Sequence, residues 1–327
     1  MEKAPPLEKI TSWLKEKNPL AICTEGNFSV QDIDPKPWSG HFNYLISSGD
    51  NKFVFRFKGP EWGEASKGIL DEYNTLKAIE RYAVSPRVYY LTDDFFGEHA
   101  LLEEYIAGDV FSGLSLDEQK KALPNVAQLI AQINLIPLSD RIPFQHELVT
   151  YDISKKTWRL RLEEIEKDPR TTSFGKEIKD VLPRAEKMLD NFTRALTLAL
   201  RQFHPLFIFE SAHAGHCVMT SSAPRFFNWE KVSYGDPSYT LAVFLSSYIH
   251  RGDFHEIKKL LVDAYVNILD VPNLDILLDM RLQEREISNV IWILWAHTQK
   301  KGELFTRMEE AHKRMERVKT ILNNFSQ

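Results

Sequence analysis

Hydrophobic and polar positions along the first hundred residues follow two periods. Short runs rich in aromatic and β-branched residues, Tyr44–Ser47, Phe53–Phe57, Val88–Leu91 and Leu101–Ile106, have the composition of strands. The first two flank Ser48-Gly49-Asp50-Asn51-Lys52, a glycine-containing loop of hairpin type. A short helix is predicted over Leu7–Glu16. A longer one is predicted over Ser66–Tyr82, where Ile69, Tyr73, Leu76 and Ile79 recur at helical spacing before Ser85-Pro86 closes the segment. From Leu114 onward the helical period dominates. Val126, Leu129, Ile130 and Ile133 share one face, as do Ile257, Leu260, Leu261 and Ala264. The charged stretch after Gly302, free of Gly and Pro, predicts a terminal helix. Leu206–Phe209, Cys217–Thr220 and Arg225–Trp229 interrupt the helical half as strands, the last two around a turn at Ser221-Ser222-Ala223-Pro224.

This segregation of elements predicts an α+β fold: a β-rich N-terminal lobe with one helix over residues 1–103, then a helical lobe over 104–327. Residues 138–190, polar and weakly periodic, are expected as surface helices with long connections. Trp292 and Trp295, on a helix over Ile287–Thr298, are expected in the core. The balance of 43% hydrophobic and 27% charged residues is that of a soluble globular chain, and a net charge of −5 gives no global pull toward nucleic acid. The most apolar run, Val290–Ala296, is far shorter than the roughly 20 residues that span a bilayer, so no membrane partner is expected. No signal peptide is visible in Met1–Pro6. The two cysteines, Cys23 and Cys217, fit a reducing compartment, and a cytoplasmic location is expected. Arg307, Lys313, Arg314, Arg317 and Lys319 are interleaved with glutamates, the pattern of a solvated helix face with i, i+4 pairs.

Chemistry concentrates in residues 207–242. The run Phe207-Ile208-Phe209-Glu210-Ser211-Ala212-His213-Ala214-Gly215-His216-Cys217-Val218-Met219 is followed by Phe227-Asn228-Trp229-Glu230 and then Tyr234-Gly235-Asp236-Pro237-Ser238-Tyr239-Thr240-Leu241-Ala242. In this order, from about Ser39 to Tyr265, the motifs resemble those of the aminoglycoside phosphotransferase/choline kinase family, small-molecule relatives of the protein kinases. That family carries H-G-D-x-H-x-G-N, I-D-W-E and Y-G-D-P-x-x-D-L-A at these places. The resemblance implies a two-lobed protein-kinase-like fold, with ATP or another nucleotide and a small molecule bound in a cleft between the lobes. It places Ser39-Gly40 in a nucleotide-covering turn, where an ordinary hairpin turn is the alternative. Arg56 takes the place of the basic residue on the phosphates with Glu72 as its helix partner, or else is a surface arginine on an edge strand. Leu101 to Gly108 become the hinge, with Glu104 and Ile106 offering backbone groups to a base.

The departures fall on the positions that perform chemistry. Ser211 stands where the family's Asp accepts a proton, and a hydroxyl is no base near neutral pH. His216 and Asn228 stand where Asn and Asp bind magnesium, a hard cation that prefers anionic oxygen, so magnesium binding is doubtful. Thr240 stands where the family has an Asp that supports the catalytic loop's backbone, and the loss of that Asp suggests that nothing is left there to hold in position. Glu210 points away from Ser211 if the segment is extended. His250-Arg251-Gly252-Asp253-Phe254-His255 imitates the lost motif at a helix start, in the wrong place. His213, His216 and Cys217 form a nitrogen/sulfur group that lacks a second ligand pair, with Cys217 facing the core. The leading expectation is a pseudokinase: a kinase-fold protein with little or no phosphotransfer that binds a nucleotide or small molecule, or regulates a protein partner. Two alternatives stay open. One is an active kinase with an atypical site for an aminoglycoside-, choline- or sugar-type hydroxyl. The other is an interaction protein with a filled cleft and residues 138–190 as its docking surface.

Overall fold

The aromatic runs build one two-faced sheet. The computed structural model describes residues 5–19, 28–33, 41–59, 68–139, 141–145, 148, 150–299 and 308–325. Their elements begin with α1 (Leu7–Lys17), β1 (Phe28–Asp32), β2 (His41–Ser48), β3 (Asn51–Lys58), α2 (Ile69–Ile79), β4 (Val88–Phe95), β5 (Glu98–Glu104), β6 (Asp109–Val110) and α3 (Leu116–Asn134). Next come α4 (Tyr151–Lys167), α5 (Thr172–Ala199), β7 (Leu206–Phe209), β8 (Cys217–Met219), β9 (Pro224–Phe226) and β10 (Val232–Gly235). The chain continues through α6 (Ser238–Leu245), α7 (Phe254–Val266), α8 (Leu274–Gln299) and α9 (Met308–Phe325). The fold is α+β: an antiparallel sheet fills the N-terminal region and helices fill the C-terminal one. Contacts divide the chain into two compact units, Met1–Gln145 with Ala214–Val232, and His146–His213 with Ser233–Gln327.

In the first unit the antiparallel sheet runs in the order β1-β2-β3-β5-β4. Side chains alternate between faces, so the aromatics of β2 and β3 gather on one side. There Tyr44, Phe55, Phe57 and Phe95 pack against Ile10, Trp13 and Leu14 of α1. Trp13 meets Phe95 edge-on at 5.1 Å, and its indole N–H donates to the Asp94 carbonyl at 3.2 Å. The opposite face carries Leu45, Val54 and Glu103 in one cross-strand row, and Asn43, Arg56 and Leu101 in the next. Strand β5 stops at Glu104, two residues earlier than the apolar run predicts, so Ile106 lies in the loop beyond it. Gly108, at φ +154°, redirects the chain there into β6, which pairs with β8, and β8 pairs with β9. A capping box between Ser115 and Glu118 starts α3, whose predicted face of Val126, Leu129, Ile130 and Ile133 is buried.

The second unit corrects one expectation. Residues 138–190 do form helices after a long connection from α3, but the helices are not superficial and the link between them is short. Helices α4 and α5 are joined by Asp168–Thr171 alone and bury Tyr151, Trp158, Ile165, Met188 and Leu189. The segment reads as polar because its outer faces carry inter-helix ion pairs, such as Arg159 with Glu186 and Lys155 with Asp190. Helix α8 packs against α4, α6 and α9. Of its two tryptophans only Trp295 is buried; Trp292 sits at the surface. Arg314 likewise leaves the solvated face assigned to it and pairs with buried Glu286 at 2.9 Å. At the centre, Arg281 bonds Asp236 at 2.7 and 3.1 Å, both fully buried, with the Tyr151 ring 4.0 Å from the guanidinium carbon. No helix among the described residues is long and apolar enough to cross a membrane.

Two outcomes follow for stability. A Cβ on Gly108 would lie 2.2 Å from the Met219 carbonyl oxygen, at a φ that side chains resist. Gly108→Ala should therefore cost about 2–4 kcal/mol in urea unfolding. Arg281→Met leaves Asp236 buried without its counter-ion, with only the Ser238 hydroxyl bonded to it, and should cost about 3–5 kcal/mol. Adding Asp236→Leu should return most of that loss, because a buried pair replaced as a whole costs little.

Candidate functional site

Arg56 lies on β3, a strand with neighbours on both sides, so the surface-arginine reading fails. It is 4% exposed, and a guanidinium that deep needs partners. Its Nε approaches the Glu72 carboxylate at 2.9 Å, so the pairing expected across β3 and α2 is present. Its Nη2 donates to the Oδ1 of Asn228 and to the Nδ1 of His41 at 3.1 Å. Because a guanidinium only donates, Nδ1 of His41 must be the acceptor. The 3.6 Å approach of the same Nδ1 to Glu230 is then not an ion pair. Glu72 also accepts the Trp229 amide at 2.9 Å. Burial pushes the Glu72 carboxyl above its ordinary range, against the opposing pull of Arg56.

Asn228 is presented by the β8–β9 hairpin. Phe226 donates its amide to the Val84 carbonyl at 3.0 Å, and Arg225 forks onto Glu104 with both bonds at 2.7 Å. Asn228 itself adopts φ +68°, a conformation that asparagine tolerates better than most residues. The same hairpin brings His216 to its end, since the Phe227 amide donates to the His216 carbonyl at 3.0 Å. The two positions assigned to metal ligands are therefore neighbours on one hairpin. Their donor set does not fit Mg²⁺: one amide oxygen is already bonded by a guanidinium, and the other group is an imidazole. No three His, Cys, Asp or Glu side chains converge as a metal-ligand group among the described residues, which leaves the His213/His216/Cys217 cluster without metal geometry. Cys217 is buried in the core as expected, and burial pushes its thiol up to about 12.

The hinge region keeps its backbone chemistry. The Glu104 side chain is spent on Arg225 and on the Arg87 amide at 3.0 Å, leaving only its main chain for a ligand. Ile106 is buried, and its amide donates to no described residue. An orphaned N–H at that place fits the acceptor edge of a base. Ser39 and Gly40 lie outside the described residues, as do Ser66 at the predicted start of the second helix and Arg307 in the C-terminal stretch.

Ser211 and Thr240 belong to the second unit. Glu210 and Ser211 form a turn after β7 and not an extended segment. The Glu210 carboxylate accepts the Ser233 hydroxyl. The Thr240 hydroxyl accepts the Phe209 amide at 3.3 Å, so a neutral side chain at this position ties α6 to the end of β7. The motif reading missed His41, Glu103 and Glu230, which surround Arg56 as buried polar groups. Glu103 had a visible signal, a charge at an inward position of the apolar run Leu101-Leu102-Glu103.

Three comparisons bear on this geometry. No curated protein matches the chain in sequence. The choline kinase of Cryptosporidium parvum superposes with a TM-score of 0.67 at 15% identity, covering 98% of this chain and 97% of its own. A Plasmodium vivax ethanolamine kinase gives 0.69 at 14% identity, over 99% and 97%. The GDP complex of aminoglycoside 2'-phosphotransferase-IIIa gives 0.65 at 13%, over 98% and 100%. These likenesses establish a protein-kinase-like fold. The model of the phosphotransferase enzyme family matches residues 35–271, most of the chain, and the chain belongs to that family.

Proposed function

We propose that this chain is a pseudokinase of its family: a cytoplasmic protein that binds a nucleotide or small molecule without appreciable phosphotransfer. The observation that carries the reading is the arrangement around Arg56, where the oxygen at the metal position belongs to a neutral Asn228 and is already taken by the guanidinium. Phosphoryl transfer depends on metal ions that bridge the phosphates and neutralise developing charge. Ser211 offers no base, and His216 no oxygen. Nucleotide binding is supported by the free Ile106 amide and by the GDP bound to aminoglycoside 2'-phosphotransferase-IIIa. The buried free thiol of Cys217 suits a reducing compartment.

Thermal-shift titration with ATP, with and without magnesium, tests the binding half. The expected shift is the same in both conditions, whereas one that needs magnesium counts against the reading. For catalysis, the native chain should hydrolyse ATP at background rate. Ser211→Asp, His216→Asn and Asn228→Asp combined should raise that rate by at least about 10²-fold, the lower end of what a general base contributes. Native turnover already at the level of the restored variant would mean an active kinase with an atypical site.

A further inference from the structure

Helix α8 sends two arginines, one turn apart, to the same tyrosine. The guanidinium carbons of Arg281 and Arg285 lie 5.3 and 5.8 Å from the centre of the Tyr239 ring. Asp236 neutralises Arg281. Arg285 has no such partner: half-buried, it makes no hydrogen bond or ion pair with any described residue, and its Nε is buried without an acceptor. A buried donor left unmet is costly, so a group that accepts from it gains correspondingly. The Tyr239 hydroxyl likewise has no hydrogen bond among the described residues. Burial, helped by Glu210 and Glu284, pushes that hydroxyl above its ordinary range against the pull of the two arginines, so it stays protonated and can donate.

The neighbours of this pair define what that group is. Tyr239 lies in the first turn of α6 beside Thr240, which ties the helix to the end of β7, and the turn after β7 carries Glu210 and Ser211. All of these residues belong to the second unit. Glu210 takes the Ser233 hydroxyl on Oε1, and its Oε2 has no partner among the described residues. Glu284 is engaged with α4 instead, accepting the Ser154 and Ser288 hydroxyls at 2.9 and 2.6 Å. The unmet groups are thus a guanidinium, a phenolic O–H and one carboxylate oxygen. An ammonium compound would satisfy the carboxylate oxygen alone. A phosphate dianion would accept from both donors but bring two charges toward Glu210 and Glu284. A carboxylate carries one charge, as the guanidinium does, and its two oxygens match the planar fork. A hydroxyl or amine on the same molecule would give Glu210 its donor.

Resting on the reading that this chain binds a small molecule, we propose that the molecule is a carboxylate: Arg285 and Tyr239 hold its carboxylate group, and Glu210 accepts from a hydroxyl or amine elsewhere on it. The neutralised Arg281–Asp236 pair then serves to hold the Tyr239 ring in place, and selection falls to Arg285.

Isothermal titration of the full chain at pH 7, without nucleotide or divalent metal, tests this directly. The probes are L-serine and D-gluconate, their counterparts without a carboxylate, ethanolamine and D-sorbitol, and inorganic phosphate. At least one carboxylate should bind about 10-fold or more tighter than its counterpart. Arg285→Gln should weaken that binding by about 10-fold or more, because a charged, forked contact is lost. Arg285→Lys, which keeps the charge without the fork, should fall between the native chain and Arg285→Gln. Tyr239→Phe keeps the ring and removes only the donor, so it should weaken binding by about 3-fold or more even if Arg285→Gln folds poorly. The proposal is overturned if neither carboxylate binds, if the counterparts bind as tightly, if phosphate binds more tightly than both carboxylates, or if Arg285→Gln or Tyr239→Phe binds like the native chain. Failure of the pseudokinase reading registers elsewhere, as magnesium-dependent ATP turnover by the native chain, which these metal-free titrations do not report.

Discussion

A buried guanidinium organises the first unit. Arg56 sits inside the protein because β-strand alternation turns it away from the aromatic face shared by Phe55 and Phe57. Once it is there it must be neutralised and bonded, since an unpaired charge at that depth would be prohibitive. Its partners come from three places remote in sequence: β2, α2 and the loop after β9. Satisfying one side chain therefore fixes the register of a helix against the sheet and the course of a hairpin some 170 residues away. The Arg225–Glu104 fork and the Trp229–Glu72 bond lie along the same seam and reinforce it.

The interaction that builds the scaffold also limits its chemistry. The Arg56 Nη2 donates to Asn228 and His41, its Nε lies against the Glu72 carboxylate, and Glu230 stands beside His41. An aspartate at position 228 would add another carboxylate beside Glu72, which burial already pushes upward. Without a divalent cation that extra charge would raise the energy of the folded state. With asparagine, the same oxygen accepts the same hydrogen bond at no charge cost. Where no metal is bound, the neutral residue is thus the more stable choice beside Arg56 and Glu72.

Much of this was legible in the sequence, for identifiable reasons. Strand alternation and helical spacing located the sheet and most helices, because burial of one face leaves a period that composition alone can reveal. The Arg56–Glu72 pair was legible from motif order. What escaped depends on groups that several residue types can supply. Thr240 was read as a lost support, yet a hydroxyl accepts an amide hydrogen bond as a carboxylate does. Helices α4 and α5 were read as surface because their cross-helix ion pairs make the segment polar while Trp158 and Ile165 are sequestered. The end of β5 was misplaced by two residues because Tyr105 and Ile106 are as apolar as the strand before them. What turns the chain is the backbone of Gly108, which periodicity does not report.

The pattern of retained and replaced carboxylates then has a physical rule. Asp236 keeps its family identity and is fully buried, but Arg281 neutralises it with two hydrogen bonds. Removing that carboxylate alone would strand a buried guanidinium, so the position is held by stability whatever the chain does. Ser211 and Asn228 are also buried, and there the family's aspartates would depend for compensation on substrate or metal. When catalysis is not required, a carboxylate compensated only by a transient ligand is a standing cost to the folded state, and a neutral side chain removes it.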